Sequence, residues 1–295
     1  MIVLILENFI KDLPDVPSFE SFVIRDRNFL SGIDQFRLVR RQNKAMEMIH
    51  QRLRNYLRSL KVSLPFSTAF GPGNSARKNL EKHRYNRYFY LIDLKSAFSS
   101  VDRNKLTHIL CALDQELKNE EVITFLEKYC FSPNGSLVTG TSSSPDLFNI
   151  YCGELLDKPL GDLCQRYELT YTRYSDDLTF SSSNEPIGYR KRRAIRQIIE
   201  AAGFKVNHRK SAVYDLQKGP IVINGIGLEL GGRIFLPRHY LRNIKGLLHK
   251  AEKEGLNPAK VHGRMGTFYQ VTLGPFNKTE EKLVKQYCAF RARQA

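Results

Sequence analysis

The sequence has few of the features that mark secreted, zinc-binding or membrane-spanning proteins. Its five cysteines are an odd number and form no C-x2-C pair, which argues against a disulfide framework and against a zinc ribbon. The apolar start, Met1–Leu6, is followed by Glu7 and is too short for a signal peptide or a membrane span. No later apolar run reaches about 18 residues. We therefore expect a protein of the reducing cytoplasm that has no membrane partner.

Acidic residues are scarce relative to basic ones. The 295 residues contain 46 Lys and Arg against 30 Asp and Glu, which gives a formal net charge of +16. Hydrophobic residues make up 42% of the chain, enough to bury a core in one large domain or two average ones. Internal repeats and low-complexity segments are absent from the sequence. So basic a chain most often binds a polyanion, and nucleic acid is the first candidate.

Both ends of the chain have helical patterning. From Asp34 to Leu60, apolar residues recur at helical spacing among many basic residues, which predicts a basic and mostly helical N-terminal region. Beyond Pro237, helical segments at about 238–254, 258–271 and 278–293 predict a small helical bundle.

The centre of the chain mixes strand and helix signals. Tyr88–Asp93 predicts a strand, and two β-rich arms on either side of Ser175–Asp177 predict a hairpin. A single helix is expected from Ser144 to about Tyr167, and strand signals occur over Ile221–Leu230. The expected fold class is therefore α+β.

Three aspartates end or connect the central strands. Asp93 follows an apolar strand, and Asp176 and Asp177 lie at the predicted hairpin tip. Carboxylates at such positions would repel one another unless a cation lay between them. Two divalent ions held by carboxylates are a recurrent device for phosphoryl transfer. An isolated Asp-Asp pair is more often only a β-turn, so the pair matters through its surroundings.

Those surroundings contain further motifs in a fixed order. Leu91–Phe98, Leu137–Pro145 and Tyr174–Asp177 resemble the first three palm motifs of reverse transcriptases. Gly203–Ser211 resembles the fourth motif, and Ile223–Ile226 resembles the primer-grip turn. The chain resembles bacterial reverse transcriptases, above all the retron and group II-intron-like enzymes, over roughly residues 30–240.

The resemblance implies a role for each matched residue. Asp93, Asp176 and Asp177 would bind two Mg²⁺ ions, with Mn²⁺ as an alternative, and carry catalysis. Phe98 would be the steric gate that excludes a ribose 2′-hydroxyl. Lys210 would lie near the triphosphate, as counter-charge or as proton donor to pyrophosphate.

Other positions are implied to contact nucleotide or nucleic acid. Gly140 would let the backbone approach the nucleotide closely. Arg40 and Arg41, with Arg37 as an open alternative, could clamp triphosphate or template. A packed role is favoured over a catalytic one for His83. The positions implied in nucleic-acid binding are Asn79, His83, Ser144, Asn224, Gly225, Arg238, Arg242 and Lys245.

The implied architecture is a right-hand polymerase. Its parts would be basic fingers at 1–90, a palm at 91–232 and a helical thumb at 233–295. Several positions depart from the family pattern, chiefly Thr139 where glutamine is usual and Asn224 where threonine is usual. We therefore expect a divergent member of the family.

The implied activity is RNA-directed DNA synthesis on a dedicated noncoding RNA, as in retrons or phage-defence systems, where an effector protein could be a further partner. Template-independent or protein-primed synthesis by the same fold is an alternative that Thr139 motivates. Another alternative is an inactive palm that serves as an RNA-binding scaffold, although the intact aspartate triad speaks against it.

Overall fold

The computed structural model describes residues 19–27 and 34–294. In chain order its strands are β1 Phe19–Arg27, β2 Asp34–Gln42, β3 Tyr88–Lys95, β4 Thr170–Tyr174, β5 Asp177–Ser182, β6 Lys205–Val206, β7 Ala212–Asp215, β8 Ile221–Ile223, β9 Ile226–Leu228 and β10 Ile234–Phe235. Its α-helices are α1 Lys44–Ser59, α2 Ala76–Glu81, α3 Arg103–Leu113, α4 Glu120–Phe125, α5 Ser144–Cys152, α6 Lys158–Arg166, α7 Tyr189–Ala201, α8 Arg238–Lys253, α9 Pro258–Val271 and α10 Lys278–Ala292.

The N-terminal part that the structure describes begins with a β-hairpin. Strands β1 and β2 pair antiparallel along nine residues each, so the prediction of a helix from Asp34 is wrong as far as Gln42. Helix α1 begins only at Lys44, where the Asn43 side chain accepts a hydrogen bond from the Met46 amide. The apolar spacing behind the prediction came from residues inside α1, and the pairing with β1 is a tertiary contact that a helical period does not report.

A five-stranded antiparallel sheet forms the centre of the molecule. Its order is β4-β5-β3-β6, and β7 pairs with the remaining part of the β3 edge beside β6. Helices cover this sheet, and the shared core includes Ile92, Leu178, Phe180 and Phe148. The sheet fixes the positions of the aspartates, because β3, which carries Asp93, pairs along one edge with β5, which begins at Asp177. Strands β6 and β7 pair along the other edge of β3.

The helix expected from Ser144 to Tyr167 is interrupted. Helix α5 passes into a π-helical segment, Gly153–Asp157, before α6 continues. Pro159 has no amide hydrogen and its ring crowds the carbonyl four residues back, so a regular α-helix cannot run through this point. The wider turn absorbs that conflict.

The strand signals over Ile221–Leu230 belong to a hairpin, whose turn lies where the sequence resembles the primer-grip turn. Ile223 pairs with Ile226, which leaves Asn224 and Gly225 as a two-residue loop. Both loop residues have positive φ, 49° and 80°, the pattern of a type I′ turn for which Asn-Gly is the preferred pair.

The three C-terminal helices have a core of their own. Leu241 and Ile244 of α8 and Phe268 of α9 are buried with Leu283 and Phe290 of α10. This confirms a helical bundle at the expected place, while the domain boundaries stay a prediction. Among the described residues, no helix combines the length and hydrophobicity needed to cross a membrane.

Candidate active site

The three predicted aspartates lie at one end of the central sheet. Asp93 of β3 is paired with Asp177 of β5, and the Leu94 amide donates to the Asp176 carbonyl over 3.0 Å. All three side chains are half-buried, so they are partly dehydrated but still reachable from solvent. Strand pairing thus unites residues that are more than 80 positions apart in sequence.

The β4–β5 turn presents two of these carboxylates. Tyr174 pairs with Asp177, which leaves Ser175 and Asp176 as the loop. Ser175 has a φ of 59° and Asp176 is not among the residues of positive φ, the pattern of a type II′ turn, in which glycine is usual at the first position. The Arg173 guanidinium donates to the Ser175 carbonyl over 3.2 Å and holds this unfavourable backbone in place.

Behind the turn lies a fully buried ion pair that the sequence did not reveal. Arg173 is 0% exposed and its Nη2 lies 2.8 Å from Asp157 Oδ2. The Tyr171 hydroxyl donates to the other Asp157 oxygen, and Arg173 also donates to Asn149 Oδ1 over 2.9 Å. This network satisfies both charges and ties β4 to α5 and to the π-helical segment before α6. No local pattern signals it, because the partners come from separate segments.

The three carboxylates interact electrostatically, which shows in the pKa of Asp177. Burial, together with the charges of Asp176 and Asp93, raises the pKa of Asp177 to about 6, while Lys210 and the hydrogen bond from Asn224 act in the opposite direction. The carboxylates therefore repel each other, and a cation in their midst would relieve that repulsion.

Lys210 lies at this site, as the fourth motif implies. Its ammonium nitrogen is 3.2 Å from Asp93 Oδ1, and Asn207 donates to Asp93 Oδ2 over 2.9 Å. The Asn207 backbone amide also donates to the Asp93 backbone carbonyl, which ties the β6–β7 loop to β3. Asp93, Asp177 and Lys210 line one cleft together with Tyr214 and Asn224.

In their present conformations, no three His, Cys, Asp or Glu side chains among the described residues converge on one point as metal ligands do. Asp93 and Asp177 instead face Lys210 and two amide groups. The donor set nevertheless fits a hard divalent cation, since three half-buried carboxylates offer oxygen ligands and net negative charge.

The residues expected to meet the nucleotide lie on two further segments. Phe98 is half-buried and stacks on Phe148, with ring centroids 4.4 Å apart. Gly140 is exposed and has a φ of 89°, which a residue with a side chain adopts only under strain. Thr139 beside it is also exposed. Arg40 and Arg41 belong to β2, but their side chains, like that of Arg37, lie outside the described residues.

Three predicted nucleic-acid contacts are wrong for this structure. Asn79 and His83 are 0% exposed and Ser144 is 1% exposed, so nucleic acid cannot reach their side chains. Ser144 instead closes the 138–144 loop, where its hydroxyl donates to the Val138 carbonyl. His83 lies between the hydroxyls of Thr172 and Ser181 as a packed histidine.

The remaining predicted contacts are accessible to differing degrees. Asn224 is half-buried and donates to Asp177 Oδ2 over 2.7 Å, while Gly225 beside it is exposed. Arg238 and Arg242 are exposed on α8, and Lys245 is half-buried. These three cations line a cavity together with Arg233, Lys278 and two carboxylates, Glu229 and Glu280, which both pair with Arg233, so the lining keeps a net positive charge. Its positive lining suits phosphate groups.

Comparison with known structures agrees with this architecture. The apo telomerase of Candida tropicalis, truncated from its C-terminal domain, superposes with a TM-score of 0.52 at 14% identity, over 77% of this chain and 56% of that one. The telomerase of the same organism in complex with a TWJ fragment of telomeric RNA gives 0.52 at 13% identity, over 99% of this chain and 58% of that one. At such identities the likeness concerns the fold alone.

Sequence relatives are retron enzymes. The Mx65 retron reverse transcriptase of Myxococcus xanthus is 27% identical over 77% of this chain and 56% of its own length. The Ec83 retron reverse transcriptase of Escherichia coli is 24% identical over 73% and 72%, respectively. The Ec86 enzyme of the same organism is 32% identical over 55% of this chain and 48% of its own. The chain thus spans about half the length of two of these relatives.

The family model of the reverse transcriptases, RNA-dependent DNA polymerases, matches residues 25–228. This segment contains the five-stranded sheet, the aspartates and the Asn224 turn. Because it makes up more than half of the sequence, the chain belongs to the reverse transcriptase family.

Proposed function

We propose that this protein is an RNA-directed DNA polymerase that joins deoxynucleotides to a primer. The observation that carries the proposal is the meeting of Asp93, Asp176 and Asp177 at one end of the central sheet, in a chain of the reverse transcriptase family. In this reaction the primer 3′-hydroxyl attacks the α-phosphate of a deoxynucleoside triphosphate, and pyrophosphate leaves.

The aspartates would hold two divalent ions, Mg²⁺ in this proposal. When bound, such ions stabilise the charge that develops on attacking and leaving oxygens. The protein's own contribution is positioning, because β3 and the β4–β5 turn fix the carboxylates before substrate arrives. Lys210 would neutralise the leaving pyrophosphate or donate a proton to it, since its ammonium already lies at the site on an exposed loop.

Selection of deoxyribose is assigned to Phe98. Its stacking on Phe148 restrains the ring, so that it could resist an additional hydroxyl on the sugar. We expect Phe98→Ala to raise incorporation of ribonucleotides by about tenfold or more, because a steric block worth about 1.4 kcal/mol changes a rate ratio tenfold. Unchanged discrimination in single-nucleotide extension assays would contradict this role.

The template is proposed to be a structured noncoding RNA. The relatives are retron reverse transcriptases, and the net charge of +16 suits a polyanionic partner held by its backbone. Arg238, Arg242 and Lys245 are proposed to contact the duplex by charge alone. The protein is proposed to act in the cytoplasm, and an effector protein is the further partner that a defence role would require.

Primer extension tests the proposed function. A labelled DNA primer on an RNA template is incubated with Mg²⁺ and deoxynucleotides, for wild type, Asp176→Ala and Asp162→Ala. The third variant removes an exposed aspartate that lies outside the site. Template-length product from wild type and Asp162→Ala, but not from Asp176→Ala, is expected.

Two further arms separate the alternatives. Long product without template would favour template-independent synthesis. Exposed Thr139, which replaces the usual glutamine, is the reason to test this alternative. RNA that co-purifies with the protein is added as template in the other arm. Failure of wild type on this RNA as well would contradict the proposal and favour a scaffold.

A further inference from the structure

A line of hydrogen-bonded polar groups runs through the interior to the catalytic carboxylate of β5. Thr172 donates to Asn79 Oδ1, Asn79 Nδ2 donates to Asn224 Oδ1 over 3.0 Å, and Asn224 Nδ2 donates to Asp177 Oδ2 over 2.7 Å. Upstream of these contacts, His83 bonds both Thr172 and Ser181 over 2.6 Å. The polar relay is defined as Asn86, Ser181, His83, Thr172, Asn79 and Asn224.

The direction of every bond in the relay follows from its last member. An ionised carboxylate only accepts hydrogen bonds, so Asn224 must present its NH₂ group to Asp177. Its carbonyl oxygen then faces Asn79, which must donate in turn, and this leaves Asn79 Oδ1 to accept the Thr172 hydroxyl proton. Thr172 has a single hydroxyl proton, so its oxygen accepts from His83 Nε2–H.

The far end of the relay is consistent with the same direction. Asn86 Nδ2 donates to Ser181 Oγ over 2.7 Å, so the Ser181 hydroxyl is available to donate to His83 Nδ1. His83 is therefore the neutral tautomer with its proton on Nε2. Burial, together with the charge of Lys82, lowers the pKa of His83 to about 3, which agrees with a neutral ring.

The relay joins parts of the chain that are distant in sequence. Asn79 lies on α2, Thr172 on β4 and Ser181 on β5, and all three side chains are 0% exposed. The relay therefore links the segment before the palm sheet, the sheet itself and the type I′ turn at one carboxylate. The Thr68 hydroxyl lies 2.9 Å from Asn79 Oδ1 and 3.0 Å from the Arg173 carbonyl, and it shares its single proton between these two acceptors.

We propose that Asn79 and His83 are positioning residues, which act through Asn224 to hold the Asp177 carboxylate in its orientation for catalysis. The inference deepens the proposed function and rests on it. It replaces the expectation that these side chains bind nucleic acid, because both are enclosed and neither carries a charge for phosphate. A polar chain of this kind is stable only when every member is satisfied, so one inverted amide disturbs the whole line.

Two replacements of matched size provide the test. Asn79→Leu has no proton to donate to Asn224 and no oxygen to accept from Thr172, so the Asn224 amide is no longer held with its NH₂ group towards Asp177. His83→Leu removes the donor to Thr172, whereas His83→Gln can restore it through its NH₂ group. Thr272→Val serves as the control, because Thr272 is a buried threonine directly after α9 and lies outside both the relay and the cleft that Asp93 and Asp177 line.

Three quantities are measured for each variant: kcat at saturating duplex and nucleotide, the Kd for primer–template, and the affinity for Mn²⁺ by electron paramagnetic resonance without nucleic acid. We expect Asn79→Leu and His83→Leu to lower kcat and Mn²⁺ affinity by about 10- to 100-fold, as loss of an outer partner of a metal-binding carboxylate does. The Kd for primer–template should stay within about twofold, and His83→Gln and Thr272→Val should resemble wild type.

Each alternative result has a defined meaning. Unchanged kcat and Mn²⁺ affinity in Asn79→Leu overturn the inference. A raised primer–template Kd with wild-type kcat would also overturn it and reinstate nucleic-acid contact. Should wild type fail to polymerise, the proposed function fails, while Mn²⁺ affinity still decides the relay. Should Asn79→Leu or His83→Leu not fold, Asn224→Gly, which tolerates the positive φ of that turn, should show the same losses.

Discussion

Two cation–carboxylate pairs flank the β4–β5 hairpin, and they differ in every respect that matters to their roles. Arg173 and Asp157 lie behind the hairpin with side chains 0% and 3% exposed. Lys210 and Asp93 lie at the tip with side chains 47% and 17% exposed. The first pair is enclosed by protein, whereas the second pair borders a cleft.

The difference lies in how completely each carboxylate is satisfied. Asp157 accepts from Arg173 Nε and Nη2 and from the Tyr171 hydroxyl, all within 3.1 Å. Asp93 accepts from one amide and one solvated ammonium. A saturated buried pair fixes a backbone, while an exposed pair can exchange its cation at little cost. The buried pair thus supports the hairpin rigidly, while at the tip the Lys210 ammonium can give way to another cation.

The largest expected effect comes from breaking the enclosed pair. Asp157→Ala leaves the Arg173 guanidinium buried without its counter-charge, which should lower the free energy of unfolding by about 3–5 kcal/mol. Urea denaturation followed by circular dichroism measures the loss. The double variant Asp157→Leu with Arg173→Met should recover a large part of it, and a loss below about 1 kcal/mol in the single variant would contradict the assigned role.

Removing the cation at the tip should affect activity rather than stability. Lys210→Ala is expected to lower kcat by about 10- to 100-fold, as loss of a proton donor or counter-charge does, with little change in the free energy of unfolding. Arg209→Ala removes a neighbouring exposed cation of the same loop and is the control. Equal losses in both variants would show that only the general charge of the loop matters.

Acid should lower the free energy of unfolding through His83, which is fully buried. Its folded pKa of about 3 lies below the ordinary value of 6.5, so the unfolded chain takes up a proton that the native state excludes. Stability is therefore lost as pH falls from about 6.5 towards 3, by about 2 kcal/mol between pH 7 and pH 5. His83→Gln should show a dependence weaker by this amount in urea titrations, and identical slopes would refute the assignment.

The smallest effect on stability is expected at an ion pair that belongs neither to the enclosed Arg173–Asp157 pair nor to the exposed pair at the hairpin tip. Lys191 and Glu185 lie 2.6 Å apart, but the Glu185 side chain is 64% exposed. Glu185→Ala should change the free energy of unfolding by less than about 1 kcal/mol. A loss comparable to that of Asp157→Ala would remove the distinction between enclosed and exposed pairs. The measurement is the same urea denaturation, repeated at high salt.

The candidate site was predictable where the signal is local. Tyr174–Asp177 lies between two β-rich arms, so both the hairpin and its acidic tip follow from sequence, and the structure confirms them. Asn224–Gly225 carries an equally local turn signal, and the structure has a two-residue loop there between two short strands. The helical period in α1 was extended backwards into β2, because pairing with β1 leaves no trace in a helical pattern.

The interior network was not predictable from the residues one at a time. Arg173 is one of 46 basic residues, and nothing adjacent to it shows that it is the fully buried one. The family resemblance implies nucleic-acid contact for Asn79 and His83, yet their enclosure depends on α2 packing against β4 and on the Asn224 turn. Burial is a property of the assembled chain, and it reverses the role expected of a polar side chain.

The sequence by itself determined the local elements and the residue types of the site: the apolar strand ending at Asp93, the acidic hairpin and the basic excess. These follow from short-range periodicity, turn chemistry and composition. Only the tertiary structure decided which polar residues are enclosed, which carboxylate each one holds and where the turn is supported. The physical reason is that hydrogen bonds and ion pairs between distant segments form only after strand pairing and core burial have brought those segments together.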